Sequence, residues 1–443
     1  MKKMGSILLI IAMTLSLFVG CGKETKEEVK DETSNETTQV VENKLEGEIT
    51  FSTWGSLEER KVNEEIIALF ESKNPGTKVN LEYIPEEYTT KIDSMFLGKM
   101  APDVIYGHPK YFVNWASQGL LMDLTEKFEA TPELLDANKF NVGLYDAFKY
   151  EGKHIATVNG ADTLLIHYNK SLFDAANIET PQADWTYEDL INAAKALTIF
   201  GEDGKPKQYG ISVGSGYHSA EAFIYANGGT LFDDPNFPKE VNVNSKETAE
   251  ALQLMQDLIY VHKAAPTAED KEVLGGGFDT GKIAMIIDGV WSVVYRKDID
   301  AFEWGFAEVP AKDGQAKKIP ALYAGYAIAK TTKNPELAWE FAKFMQTDEA
   351  QALLAGSGLI TVINKEIATS DSIINIEGAP VNHILRVESL EKSIHNDAML
   401  PNWDEYLTKG FTPAMDQLLN NTISGEDAAE LLQKEFEKLL LNK

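Results

Sequence analysis

The sequence predicts an α/β protein built as two bodies. Three observations carry that expectation. The chain has 443 residues, enough for two domains of roughly 100 to 200 residues each. From Glu48 short apolar runs alternate with amphipathic segments in the order strand, helix, strand, helix, strand, the spacing of parallel pairs with helices on their faces. A second alternating region begins at Asp162, with no internal repeat relating it to the first. With 44% hydrophobic and 25% charged residues the composition is that of a folded chain rather than a disordered one.

The first twenty residues stand apart from that body. Lys2 and Lys3 give a positive start, and Ile7 to Val19 form an apolar run shorter than the roughly 20 residues that span a bilayer, so residues 1–20 read as a secretory signal peptide. The only cysteine, Cys21, follows at once. A lone cysteine excludes an internal disulfide and any CxxC metal or redox site. Leu17-Phe18-Val19-Gly20-Cys21 resembles a bacterial lipobox, apart from Phe18 where Leu is usual; the resemblance implies a lipidated Cys21 and a membrane anchor on the outer face. The following stretch has almost no apolar residue before Val40 and cannot pack, so residues 21–46 read as a solvated tether. A net charge of −28 repels phosphate backbones, which excludes nucleic acid as a partner.

Within the body, "EITFST" (48–53) reads as a buried strand and "EERKVNEEIIALFESKNP" as an amphipathic helix ended at Pro75, with Ile66, Ile67 and Phe70 on its apolar face. "TKVNLEYIP" is a second strand, "YTTKIDSMFLGKM" a second helix and "PDVIYG" a third strand. In the second region "DTLLIHYN" and "QYGISVGS" read as strands around the helix "WTYEDLINAAKALT", which Thr186 caps. "ETAEALQLMQDLIYVHK" is a long helix, "KIAMIID" and "YAGYAIAK" are strands, Pro335 opens the helix "NPELAWEFAKFMQ", and "AAELLQKEFEKLL" closes the chain.

Several segments, in order, resemble the extracellular solute-binding proteins of ABC importers, in the family-1 group that mostly carries sugars and oligosaccharides. They are "LFESKNPGTKVNLEYIP", "APDVIYG", "GKHIATVNGADTLLIHYNKSLFDAANIETP", "YANGGTLFDD", "DTGKIAMIIDGVW" and "AGYAIAKTTKNPELAWEFAKFM". The resemblance implies a two-lobed periplasmic-binding-protein-like fold of type II, each lobe a mainly parallel sheet flanked by helices. Lobe 1 would hold residues 47–160 plus 324–380, and lobe 2 residues 161–323 plus 381–443. It further implies a hinge between lobes, a monomer with a ligand held in the cleft, no cofactor, and the importer's permease subunits as partners. Val158-Asn159-Gly160 departs from the family's frequent Pro at the first crossover.

In open parallel sheets ligands bind beyond the carboxyl ends of strands. Aromatic residues meet polar ones at several such ends: Trp54 with Ser56 and Glu58, Tyr106 with His108, Asn159 with Asp162, Tyr217 with His218, Asp288 with Trp291, and Tyr323 with Tyr326. This is the pairing a sugar needs, since flat rings cover its C–H face and charged acceptors take its hydroxyls. Trp54, Trp291 and Tyr323 match family positions at the cleft, and Trp403 does so through "LPNWDEY". Trp115, Trp304 and Trp339 have apolar neighbours in sequence and read as core, while Trp185 packs a helix entry.

Enzyme readings find little support. "GISVG" places Ser212 in a G-x-S-x-G pattern, but no HGGG-like loop precedes it and "SGYHSAEAF" follows where a helix should start at once. Pairs such as Asp233-Asp234 arise freely among 69 acidic residues, so a glycan-active enzyme is the weaker alternative. Seven histidines show no HExxH spacing, so no metal site is expected. A polyamine or other small polar solute is the second reading of the cleft, on Glu58, Asp162 and Asp288. The sequence thus points to a non-catalytic carrier of a carbohydrate.

Overall fold

The computed structural model describes residues 45–214 and 216–441; the expected signal peptide, Cys21 and nearly all of the tether lie outside the described residues. β1 (Gly47–Thr53) buries Ile49 and Phe51 on alternate positions and pairs in parallel with β2 (Thr77–Tyr83) and β3 (Val104–Gly107). Between β1 and β2 runs α1 (Leu57–Lys73), which buries Ile66, Ile67 and Phe70 as its apolar spacing requires. α2 (Tyr88–Leu97) joins β2 to β3, and α3 (Pro109–Ser117) leaves β3 with Pro109 in its first turn.

The second region departs from parallel pairing. β4 (Thr157–Asn169) runs antiparallel to β5 (Met285–Gly289), β6 (Trp304–Ala307) and β7 (Ile319–Ile328), and β7 is also antiparallel to β3. β8 (Ser393–His395) adds to β7 in parallel. One mixed sheet results, in the order β6-β4-β7-β3-β1-β2 with β5 on β4 and β8 on β7. A run buried on both faces, as in Leu164 to Tyr168, carries no alternation that tells one strand direction from the other. "QYGISVGS" forms only single bridges, Tyr209 to Ile283 and Ser212 to Ile286, because Gly210 is drawn against the backbone of Ala194, where a Cβ would lie 1.9 Å from its carbonyl oxygen.

Two large hydrophobic cores flank this sheet. One gathers residues from Ile49 to Ala161 and Ala321 to Ile373; the other gathers residues from Leu164 to Ile319 and the C-terminal segment through Phe436. All thirteen residues of β4 are buried, with Val158 and Ala161 in the first core and Leu164 to Ile166 in the second. β7 makes the return crossing, from Ile319 in the second core to Ala321 and beyond in the first. Thr186 caps the helix α4 (Tyr187–Ala196) in a reciprocal capping box with Asp189. Helices α5 (Tyr217–Ala226), α6 (Lys246–Tyr260) and α7 (Gly425–Leu441) build the second core.

Candidate functional site

A cavity of about 250 Å³ opens where the two crossing strands meet the strand ends. Trp54, Glu59, Tyr106, His108, Asp162 and Trp291 line it, and Leu322, Ala324, Leu359 and Ile360 complete its apolar wall. Trp54 follows β1 and its indole packs against Tyr106 (4.6 Å between ring centroids), Tyr88 (4.9 Å) and His108 (5.0 Å). The Tyr88 hydroxyl donates to the Tyr106 carbonyl (2.8 Å), which pins the end of β3 under the indole. His108 Nδ1 donates to the Tyr323 carbonyl (2.8 Å) and burial pushes its pKa down to about 4, so the ring is neutral with Nε2 as an acceptor.

Two carboxyl groups enter the cavity in different electrostatic settings. Asp162, 4% exposed on β4, places Oδ1 on the Thr361 N–H (2.9 Å), the Thr361 hydroxyl (2.9 Å) and Arg386 Nη2 (3.2 Å). Burial raises its pKa, and the guanidinium opposes that rise. Glu59 has no cation among its influences. Burial lifts it to about 7, the Ser56 N–H opposes this, and Glu58 and Asp162 push the same way as burial.

Trp291 comes from the opposite core, and its position explains the motif "DGVW". Asp288 Oδ2 is paired with Arg296 (2.8 Å) and Oδ1 accepts from the Gly289 N–H (2.8 Å). The indole folds back over Gly289, where a Cβ would lie 1.8 Å from the ring. Asp288 therefore shapes the turn that presents Trp291, rather than facing a ligand as expected from the sequence.

The other expected site residues fall as follows. Ser56 caps α1, accepting from the Glu59 N–H (3.3 Å), and Glu58 is exposed and bonded to Ser56, outside the cavity. Asn159 is buried behind Tyr106. Tyr217 hydrogen-bonds the Asn396 carbonyl (2.5 Å), and Tyr323 is buried with its ring against His395 (4.8 Å). Trp403 is a correction: it is 1% exposed in the second core, with Nε1 donating to the buried Asp397 (2.6 Å). Trp115, Trp304 and Trp339 are buried, as their apolar neighbours led us to expect. Glu59 was missed, although a third helical position after a Ser cap turns its side chain back toward the strand end. A larger groove, about 860 Å³, lies against Val113, Tyr150, Phe237 and Leu400 and holds no pairing of acid with indole.

Residues 54–352 match the family model described as bacterial extracellular solute-binding protein. The chain belongs to that family. Among curated members of the family, the chain is 26% identical to a maltotriose-binding protein of Pyrococcus abyssi over 352 residues, 77% of this chain and 70% of the relative. It is 23% identical to a maltooligosaccharide ABC transporter solute-binding lipoprotein of Streptococcus pneumoniae over 364 residues, 80% of this chain and 78% of the relative. Among solved solute-binding proteins, an ABC substrate-binding protein of Listeria monocytogenes in complex with cycloalternan aligns with a TM-score of 0.77 and 28% identity, covering 89% of this chain and 99% of the other. The GacH receptor of Streptomyces glaucescens aligns with a TM-score of 0.74 and 23% identity, covering 90% and 99%.

Proposed function

We propose that this protein captures a carbohydrate between its two cores without chemically changing it, and delivers it to an ABC importer from a lipid anchor at Cys21. One observation carries the reading: Trp54 from one core and Trp291 from the other line a single cavity together with the carboxyl groups of Glu59 and Asp162. Flat indoles cover C–H faces, and carboxylates accept hydroxyl protons with hydrogen bonds roughly twice as strong as neutral ones. A guest touching both walls favours the arrangement in which both sets of contacts form, which is the physical basis of closure around a hinge. The names of relatives that bind maltotriose and maltooligosaccharides support α-glucans as the first ligands to try.

Calorimetric titration with maltose, maltotriose and longer maltodextrins tests the reading. Trp291→Ala is expected to weaken binding at least about tenfold, close to 1.4 kcal/mol, with an unchanged melting temperature. Equal affinity in the variant removes Trp291 from the site. New reducing ends appearing during incubation with maltodextrins would favour a glycan-active enzyme. Glu59, with no cation beside it, is the one feature that favours a cationic guest, and the same titration with spermidine decides that reading.

A further inference from the structure

The seam between the cores holds a second polar cluster, beside the aromatic cavity. α5 brings Tyr217, His218 and Glu221 to it, and the segment after β8 brings Asn396 and Asp397. Glu221 is 0% exposed and Asn396 1%. Glu221 Oε1 accepts from Asn396 Nδ2 (3.3 Å) and lies 3.0 Å from His218 Nδ1. The second polar atom of each group, Glu221 Oε2 and Asn396 Oδ1, is buried without a partner. Two bare acceptors in a core cost several kcal/mol if one of them belongs to an ionised carboxylate.

A carboxylic acid and a carboxamide complement each other in a ring of two hydrogen bonds, N–H to carbonyl on one side and O–H to carbonyl on the other. Half of that ring is present here. One proton on Oε2 turns two orphaned acceptors into a donor and an acceptor. We propose that Glu221 is a neutral carboxylic acid ring-paired with the Asn396 amide, and that its carbonyl Oε1 fixes His218 as the Nδ1–H tautomer with Nε2 an acceptor at the cleft. His218 is half-exposed and its ring centroid lies 6.3 Å from that of Trp291. Glu221 is thus a positioning residue, acting through His218.

The charges around the pair are consistent with this division of protons. Burial raises the Glu221 carboxyl, and Asp397 adds to the rise. Asp397, from the segment after β8, lies 3.7 Å from Lys110 of α3, accepts from Trp403 Nε1 and is lowered by Lys110, His395 and His108. Lys110 also feels Glu221, and Tyr217 and Tyr225 face it from its own helix. One lysine therefore serves two buried acids, and it sits on Asp397.

The role at the cleft rests on the binding reading above; the protonation state does not. In ligand-free protein, an infrared band of a protonated carboxyl that disappears in Glu221→Gln, with histidine ¹⁵N shifts of a neutral Nδ1–H ring for His218, is the expected result. An imidazolium at His218 near neutral pH, with no such band, overturns the proposal. With maltotriose as probe, Glu221→Ala is expected to weaken binding about tenfold, and Glu221→Gln, whose amide reproduces both bonds to Asn396, to restore it with a flat profile between about pH 6 and pH 8. Failure of Glu221→Gln to rescue binding that Glu221→Ala has lost also overturns it. If maltotriose does not bind the parent protein, the spectroscopic result still decides the state of Glu221.

Discussion

Glu59 and Asp162 share one cavity and differ in what stands behind them. Asp162 has Arg386 and Thr361 on one oxygen; Glu59 has only the Ser56 N–H and the repulsion of two other acids. The pKa of Glu59 in the fold, about 7, lies above its value of 4.5 in an unfolded chain. The stability tied to its proton is then fully present below about pH 4.5 and is lost as pH rises through about 7, by up to about 3 kcal/mol. Glu59→Gln is expected to raise the melting temperature at about pH 8 and to leave it unchanged near pH 4, read by differential scanning calorimetry; equal shifts at both would show that Glu59 is not held protonated. Trp54, Tyr106, His108, Asp162 and Trp291 were legible in sequence because strand ends bring aromatic and polar side chains to one edge. Asp288 was legible as a position and misleading as a role, because its partner Arg296 lies eight residues on and nothing local orders the two. Trp403 looked free for the same reason, its acceptor Asp397 being a carboxylate that sequence alone does not bury.

At the scale of elements, the turn after β5 is the piece on which the cavity depends most. Gly289 has an ordinary backbone conformation, so its need for glycine is spatial: the indole occupies the volume of a Cβ. Gly289→Ala is expected to displace Trp291 and weaken maltodextrin binding about tenfold, with an overpacking cost of about 1 to 3 kcal/mol read from chemical denaturation. Unaltered affinity in that variant would mean the ring's position does not matter. Helices were read well because their caps and apolar stripes are local, as at Thr186 with Asp189 and along α1. Strand direction was not, since β4 is buried throughout and pairs with residues more than a hundred positions away.

Over the whole molecule, β4 and β7 pass from one core to the other side by side, and β8 joins them at Ile319 to Ala321. Gly160 permits the close approach there, since a Cβ would lie 2.4 Å from the Thr361 carbonyl oxygen. If these crossings act as a hinge, small-angle scattering with saturating maltotriose is expected to show a smaller radius of gyration than the free protein, and the Trp291→Ala variant is expected to lose that compaction at the same sugar concentration. An unchanged radius for the parent, with binding verified by calorimetry, would exclude closure as the response. Two bodies were legible from the alternation of segments; that they share strands was not, because no local pattern marks where a buried run leaves one core for another.

A strand held in common makes the halves mutually dependent. A gene severed near residue 161 would leave each product with a torn edge, Val158 bare in one and Leu164 in the other. Such fragments should be recovered only when co-expressed, and a molecule pulled from its ends should rip in a single event instead of two.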